Sequence, residues 1–192
     1  MLRKLIETLV SRARRFRHND EAVAAVEFAL ILPFLLALYF GSMEASQLFT
    51  ADRRVNTISA TMGDLVSQWD NDDGSIPVAT MTDYFKASLA LIYPMPTTGL
   101  KQVVTCVQVL ADGTTKIIWS KGYNGGVARI VNATYPLAST KQMNIVARGG
   151  YVIAAETSYS YTPLLGEVFK TPVNLYHENL YIPRFGGIIN AS

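Results

Sequence analysis

A short basic and polar stretch, Met1 to Glu21, precedes an apolar run, AVAAVEFALILPFLLALYFGSM, from Ala22 to Met43. A helix rises about 1.5 Å per residue and needs about 20 apolar residues to cross the hydrocarbon core of a bilayer, so this run is long enough to span one. Beyond it, apolar residues return at spacings of three and four, as Val55, Ile58, Met62, Leu65 and Trp69. On a helix these positions form one stripe, with Arg53, Arg54, Asn56, Asp64 and Gln68 mostly off it. The run Asp70-Asn71-Asp72-Asp73-Gly74 is rich in turn and cap formers and ends the pattern. The sequence therefore predicts one long helix from about Val23 to Trp69, half in lipid and half beneath a folded domain.

A shorter helix is predicted over Met81 to Ile92, capped by Thr80 or Thr82 and ended by Pro94 and Pro96. The pattern then changes to period two. Val103, Thr105, Val107 and Val109 alternate with Val104, Cys106, Gln108 and Leu110, and Ala111-Asp112-Gly113 turns the chain into Lys116-Ile117-Ile118-Trp119. This reads as a hairpin. Lys121 to Tyr135 is Gly-rich and reads as a loop. Tyr151 to Tyr161 and Val173 to Ile182 are two further strands, joined by the Pro163 to Pro172 connection. The fold class is α+β, with a small antiparallel sheet packed on the second half of the long helix.

Charge orients this plan. Arg3, Lys4, Arg12, Arg14, Arg15 and Arg17 all precede the apolar run, and Arg53-Arg54 come only well after it. The positive-inside rule then places the N-terminus in the cytoplasm and the rest across the membrane. A net charge of +2, with six of the seventeen basic residues clustered ahead of the apolar run, does not suggest a nucleic-acid binder. Cys106 is the single cysteine, so no intrachain disulfide can form, and its alternating neighbours make it a small core residue. Enzyme chemistry finds little footing. The two histidines, His18 and His177, are far apart in sequence, and no His pair stands at metal-ligand spacing. Gly122-Tyr123-Asn124-Gly125-Gly126 lacks the strand-to-helix context of a phosphate loop. The Asp70 to Gly74 run is similar in composition to a calcium loop but lacks its full spacing and distal Glu. Neither a metal nor a cofactor is expected.

Glu27 is the most informative residue. A carboxylate within a membrane span costs about 2.5–3.5 kcal/mol to insert, so such residues are usually partnered and functional. A cut between Ala22 and Val23 would give Val23 a free α-amine, mostly protonated near neutral pH. Positions 23 and 27 share a helix face, so ammonium and carboxylate can pair within one subunit or between neighbours. Two plainer readings stand beside this one. Glu27 can reach the headgroups from the first turn of the span. A cleaved secretory signal explains the basic start and the apolar run, though not Glu27, and no convincing small-x-small site follows Phe40.

The stretch Ala22-Val23-Ala24-Ala25-Val26-Glu27-Phe28-Ala29-Leu30-Ile31-Leu32-Pro33 after a basic leader resembles the N-terminus of TadE-like proteins. These are pseudopilins, or minor pilins, of the tight-adherence (Flp-type) pilus system. The segment Tyr159-Ser160-Tyr161-Thr162-Pro163-Leu164-Leu165 and the ending Tyr181-Ile182-Pro183-Arg184 are similar to the family's C-terminal part. The family usually has Gly before the cut, where this chain has Ala22. The resemblance implies peptidase cleavage between Ala22 and Val23, an assembly and processing role for Glu27 and Phe28, and a helix kink at Pro33. It also implies a prepilin peptidase, a second minor pseudopilin, the pilus assembly platform and the major pilin as partners. The expected organisation is a cytoplasmic leader (1–22), a transmembrane helix (23–43), its extracytoplasmic extension (44–72) and an extracytoplasmic α+β domain (73–192). That makes a single-pass protein of the inner membrane, with its domain periplasmic or carried on the pilus at the cell surface. The alternative, from another class, is an unprocessed anchor for an envelope-binding domain.

Overall fold

A computed structural model describes residues 20–70, 74–136, 146–163 and 171–192. The basic leader up to residue 19, the acidic run 71–73 with its resemblance to a calcium loop, and most of the Pro163 to Pro172 connection lie outside the described residues. Helix α1 runs without interruption through Asp20–Ser67, about 72 Å at 1.5 Å per residue. Its two halves have different surroundings. Every side chain from Val23 to Phe40 is exposed, and the most apolar 18-residue window is wholly uncovered by protein. Farther along, Ala51, Val55, Ile58, Met62 and Val66 are buried, at helical spacings of four and three. The stripe thus matches the expected one except that Val66 takes the place of Leu65, which is half-buried. The helix ends two residues before Trp69, whose indole N–H donates to the Gly74 carbonyl at 2.8 Å.

Helix α2, Val78–Leu89, and a 3-10 turn, Ala90–Ile92, follow. The helix begins at Val78, before the expected Met81, because Pro77 serves as its N-cap without a side-chain bond. A proline there loses no helical hydrogen bond, since the first N–H groups have no partner in any case. Thr82, expected as a possible cap, instead returns its hydroxyl to the Val78 carbonyl at 2.8 Å. Met81, Phe85 and Ser88 face inward.

Four strands form the sheet: β1, Leu100–Val109; β2, Thr115–Tyr123; β3, Tyr151–Tyr161; and β4, Val173–Tyr181. Their order is β2-β1-β3-β4, with every neighbouring pair antiparallel. The β1–β2 turn is held by Asp112, whose Oδ1 accepts the Thr114 amide at 2.8 Å and hydroxyl at 2.7 Å. A bulge opposite Cys106 and Val107 leaves Ile118 as the extra residue of β2. One face of the central strands packs on the helices through Val104, Cys106, Ile153 and Ala155 against Met62, Val66 and Phe85.

The second face is also buried, by a segment that the sequence reads only as a Gly-rich loop. Lys121–Tyr123 finish β2, and residues 124–136 fold back as a strap across the outer face. Tyr135 packs there on Val107, Val109, Ile117, Val152 and Ala154. The strap is tied to β2 by Ile117 N–H to the Ala133 carbonyl and Asn132 N–H to the Ile117 carbonyl, both 2.9 Å. Glycine is required where it crosses. A Cβ on Gly126 would lie 2.1 Å from the Gln102 carbonyl oxygen, and one on Gly122 would lie 2.0 Å from the Gly126 carbonyl oxygen. Gly126→Ala should therefore lower stability by about 2–3 kcal/mol, since backbone must move to admit the methyl group. Chemical unfolding of the detergent-solubilised chain, followed by tryptophan fluorescence, reads this as a lower midpoint with an unchanged slope.

Candidate functional site

The residues singled out in the sequence all lie on the uncovered half of α1. The Ala22–Val23 bond falls in its first turn, where backbone N–H groups lack intrahelical acceptors. Glu27 lies one turn beyond Val23 on the same face, where side chains four apart stand about 5–6 Å from each other at Cβ. Glu27 is exposed, as are Val23 at 45% and Phe28 at 59%. Among the described residues Glu27 has no hydrogen-bond or ion-pair partner. In the intact chain the Val23 nitrogen is an amide and offers no positive charge. The structure therefore puts Val23 and Glu27 on one helix face, without a cation from the described residues beside Glu27. Pro33 sits inside the continuous helix and removes the N–H that would bond the Ala29 carbonyl.

At the foot of the domain, Glu44 is 2% exposed. Burial and the Glu44 charge together push the Tyr161 hydroxyl above its ordinary value. From there α1 is joined to β3 and β4 by polar contacts. Ser59 Oγ donates to the Ala155 carbonyl at 2.6 Å, His177 Nε2 meets Asp52 Oδ1 at 2.7 Å, and Asn179 Nδ2 donates to Asn56 Oδ1 at 3.0 Å. Arg184 closes the far end, with Nη2 on Asp64 Oδ1 at 2.5 Å and its amide on the Ser67 carbonyl at 2.9 Å.

A second polar cluster, on the outer face of the sheet, escapes the sequence reading. Arg129, from the strap, reaches Glu156 on β3 with Nε at 2.7 Å and Nη2 at 2.5 Å. Tyr176 donates to the same carboxylate at 2.7 Å, and Tyr135 donates to Glu178. The guanidinium also lies 4.7 Å from the centre of the Tyr135 ring. Burial alone pushes the Glu156 carboxyl up, but the bonds from Arg129 and Tyr176 and the guanidinium charge more than reverse this, and it lies below the ordinary range. The Tyr135 and Tyr176 hydroxyls are raised, by burial first and then by their bonds to carboxylates. The one available signal was Glu156 itself, a lone carboxylate inside the apolar strand Tyr151–Tyr161. This group holds the strap to the sheet and offers no activated nucleophile. Cys106 offers none either, since burial pushes its thiol up to about 12. Among the described residues no cluster of three or more His, Cys, Asp or Glu could hold a metal ion.

Residues 22–61 match the family described as TadE-like protein, the family that the N-terminal motif resembles. The matched segment begins at Ala22, takes in Glu27, Phe28 and Pro33, and ends within the buried half of α1. The four strands lie outside it. No curated protein and no solved structure matches the chain.

The lowered Glu156 carboxyl has a consequence for acid stability. A carboxyl depressed on folding stabilises the protein above its unfolded value, near 4.5, and that contribution is lost as pH falls toward the folded value. Arg129→Met leaves the buried carboxylate without its bidentate donor and should cost about 2–3 kcal/mol at pH 7. Without Arg129, burial holds the variant's carboxyl above the wild-type one, so the gap should narrow as pH falls through the variant's value toward the lower wild-type value. Denaturant unfolding of both proteins from pH 7 to pH 3 measures it, and a gap independent of pH would remove Glu156 from the explanation.

Proposed function

We propose that this chain is a minor pilin, or pseudopilin, that helps assemble or prime a tight-adherence (Flp-type) pilus. The carrying observation is the uncovered half of α1, with Glu27 one turn beyond Val23, inside the segment that matches TadE-like proteins. On this reading Val23–Met43 spans the inner membrane, the basic leader stays in the cytoplasm, and the sheet domain stands outside. A prepilin peptidase cuts after Ala22. Glu27 then meets the new Val23 ammonium of its own or a neighbouring subunit as helices pack into a bundle with a second minor pseudopilin and the major pilin at the assembly platform. TadE-like proteins are structural pilus components, not enzymes, and no constellation at the helix argues for catalysis.

Cleavage is read directly by mass spectrometry of the purified membrane-bound chain, which should begin at Val23. Ala22→Gly should be cut at least as well, and Ala22→Leu should leave the longer precursor, because a site selecting small residues has no room for leucine. A native chain that begins at Met1 would instead make this an unprocessed anchor for an envelope-binding domain.

Glu27→Gln separates assembly from anchoring. It removes the charge that answers the Val23 ammonium, leaving a cation unpaired in a low-dielectric bundle at about 2–4 kcal/mol. Each 1.4 kcal/mol is about tenfold in equilibrium, so pilus number should fall at least tenfold. Membrane-bound protein should hold steady or rise slightly, since a carboxylate has left the span. Normal pilus counts with normal processing would sink the pairing mechanism.

A further inference from the structure

The height of the domain above the apolar half of α1 can be read along the helix. Glu44, directly after Met43, is buried, and its charge acts on Tyr161, so the end of β3 lies beside the first turn past the apolar run. Gln47 shares a cleft of about 570 Å³ with Pro94, Met95, Pro96, Tyr161 and Thr162, which sets the 93–96 turn at the same level. Arg54 fixes that turn by donating to the Leu91 carbonyl at 3.1 Å and to the Tyr93 carbonyl. The Tyr93 residue is nevertheless 78% exposed.

Phe49, on α1, is 67% exposed. It stands about 9 Å past Met43 along the axis, and helical side chains incline back toward the N-terminus. It continues a stripe formed by Leu38, Ser42 and Ala45, at spacings of four, three and four. The Ser42 hydroxyl on this stripe is turned back onto the Tyr39 carbonyl at 2.8 Å. Phe49 and Arg54 are about 140° apart around the helix at 3.6 residues per turn, so Phe49 and the turn held by Arg54 occupy different flanks. Each headgroup layer outside the hydrocarbon core is about 5–8 Å thick; amphipathic tyrosine and tryptophan rings concentrate there, and an apolar phenylalanine ring gains by leaving water for it.

We infer that the domain stands on the bilayer through two contacts besides its helix, with Tyr93 and Phe49 seated in the headgroup layer on different flanks of α1. This rests on the reading of Val23–Met43 as a membrane span. Lipid is the partner because the contact continues the uncovered apolar surface of α1, and because no charged side chain lines the cleft behind the 93–96 turn. The pair fixes the tilt of the domain over the membrane, which one helix alone leaves free.

Cys106 is buried and a poor thiolate, so an introduced cysteine can be spin-labelled selectively at neutral pH. The full chain, in phosphatidylcholine vesicles, carries one label at a time through Tyr93→Cys, Phe49→Cys, Phe34→Cys or Val127→Cys. Val127, 84% exposed on the strap, is the water reference, and Phe34 reports the span itself. Relaxation by oxygen, which gathers in lipid, is compared with relaxation by a water-soluble nickel chelate. Labels at 93 and 49 should show an oxygen-to-nickel ratio well above that at 127 and below that at 34. If 34 reads as lipid while 93 and 49 match 127, this inference is overturned and the span stands. If 34 also reads as water, the membrane reading falls and the inference with it.

Discussion

One continuous helix passes from an uncovered apolar half to a half packed beneath a sheet, and the rest of the structure depends on how α1 does so. In hydrocarbon every backbone N–H and C=O must be bonded within the segment, which a helix achieves by itself. Beyond the apolar run the same helix must bury one stripe against protein and leave the other face to water. The sequence makes that change within a turn or two. Val23 to Phe40 are uncovered on all sides, whereas from Ala51 onward only one stripe is closed off. The sheet and α2 are arranged to cover that stripe, and the strap covers the other face of the sheet.

The cover is apolar at its centre and polar at its margin. Ile58, Met62 and Val66 meet the sheet and α2 without hydrogen bonds. The edge toward β4 is lined with directional contacts, His177 to Asp52, Asn179 to Asn56 and Arg184 to Asp64. Individually such partly exposed pairs contribute little stability. Their value is register, since sliding β4 along α1 by one pleat would turn these side chains to the opposite face of the sheet.

What could be read in the sequence was whatever repeats. The α1 stripe follows period 3.6, the first strand alternates with period two, all four strands were placed from their apolar composition and the turns between them, and the apolar run is a matter of length. The strap was not legible, because its cause is contact and not pattern. Gly122 and Gly126 look like loop residues in sequence, and only the approach of the Gln102 carbonyl explains them. Arg129 and Glu156 are 27 residues apart, too far for any local rule to join. The start of α2 was misplaced for a related reason: a threonine near a helix start suggests a cap, but Pro77 already fits the first turn. At the N-terminus, Glu27 stood out from sequence because charge in an apolar run is costly wherever it lies, although among the described residues it has no partner.

The unbroken course of α1 also has a mechanical meaning. No flexible joint separates its apolar half from the half that carries the sheet, so a pull on the domain reaches the uncovered segment without slack, and a twist of one half turns the other. Compliance is concentrated where the hydrogen-bond ladder lacks a rung, between Pro33 and the Ala29 carbonyl. That weak point lies well away from the sheet. The shaft is therefore stiff where it grips its load and yielding near its tail, so bending strain falls on the uncovered part and spares the core.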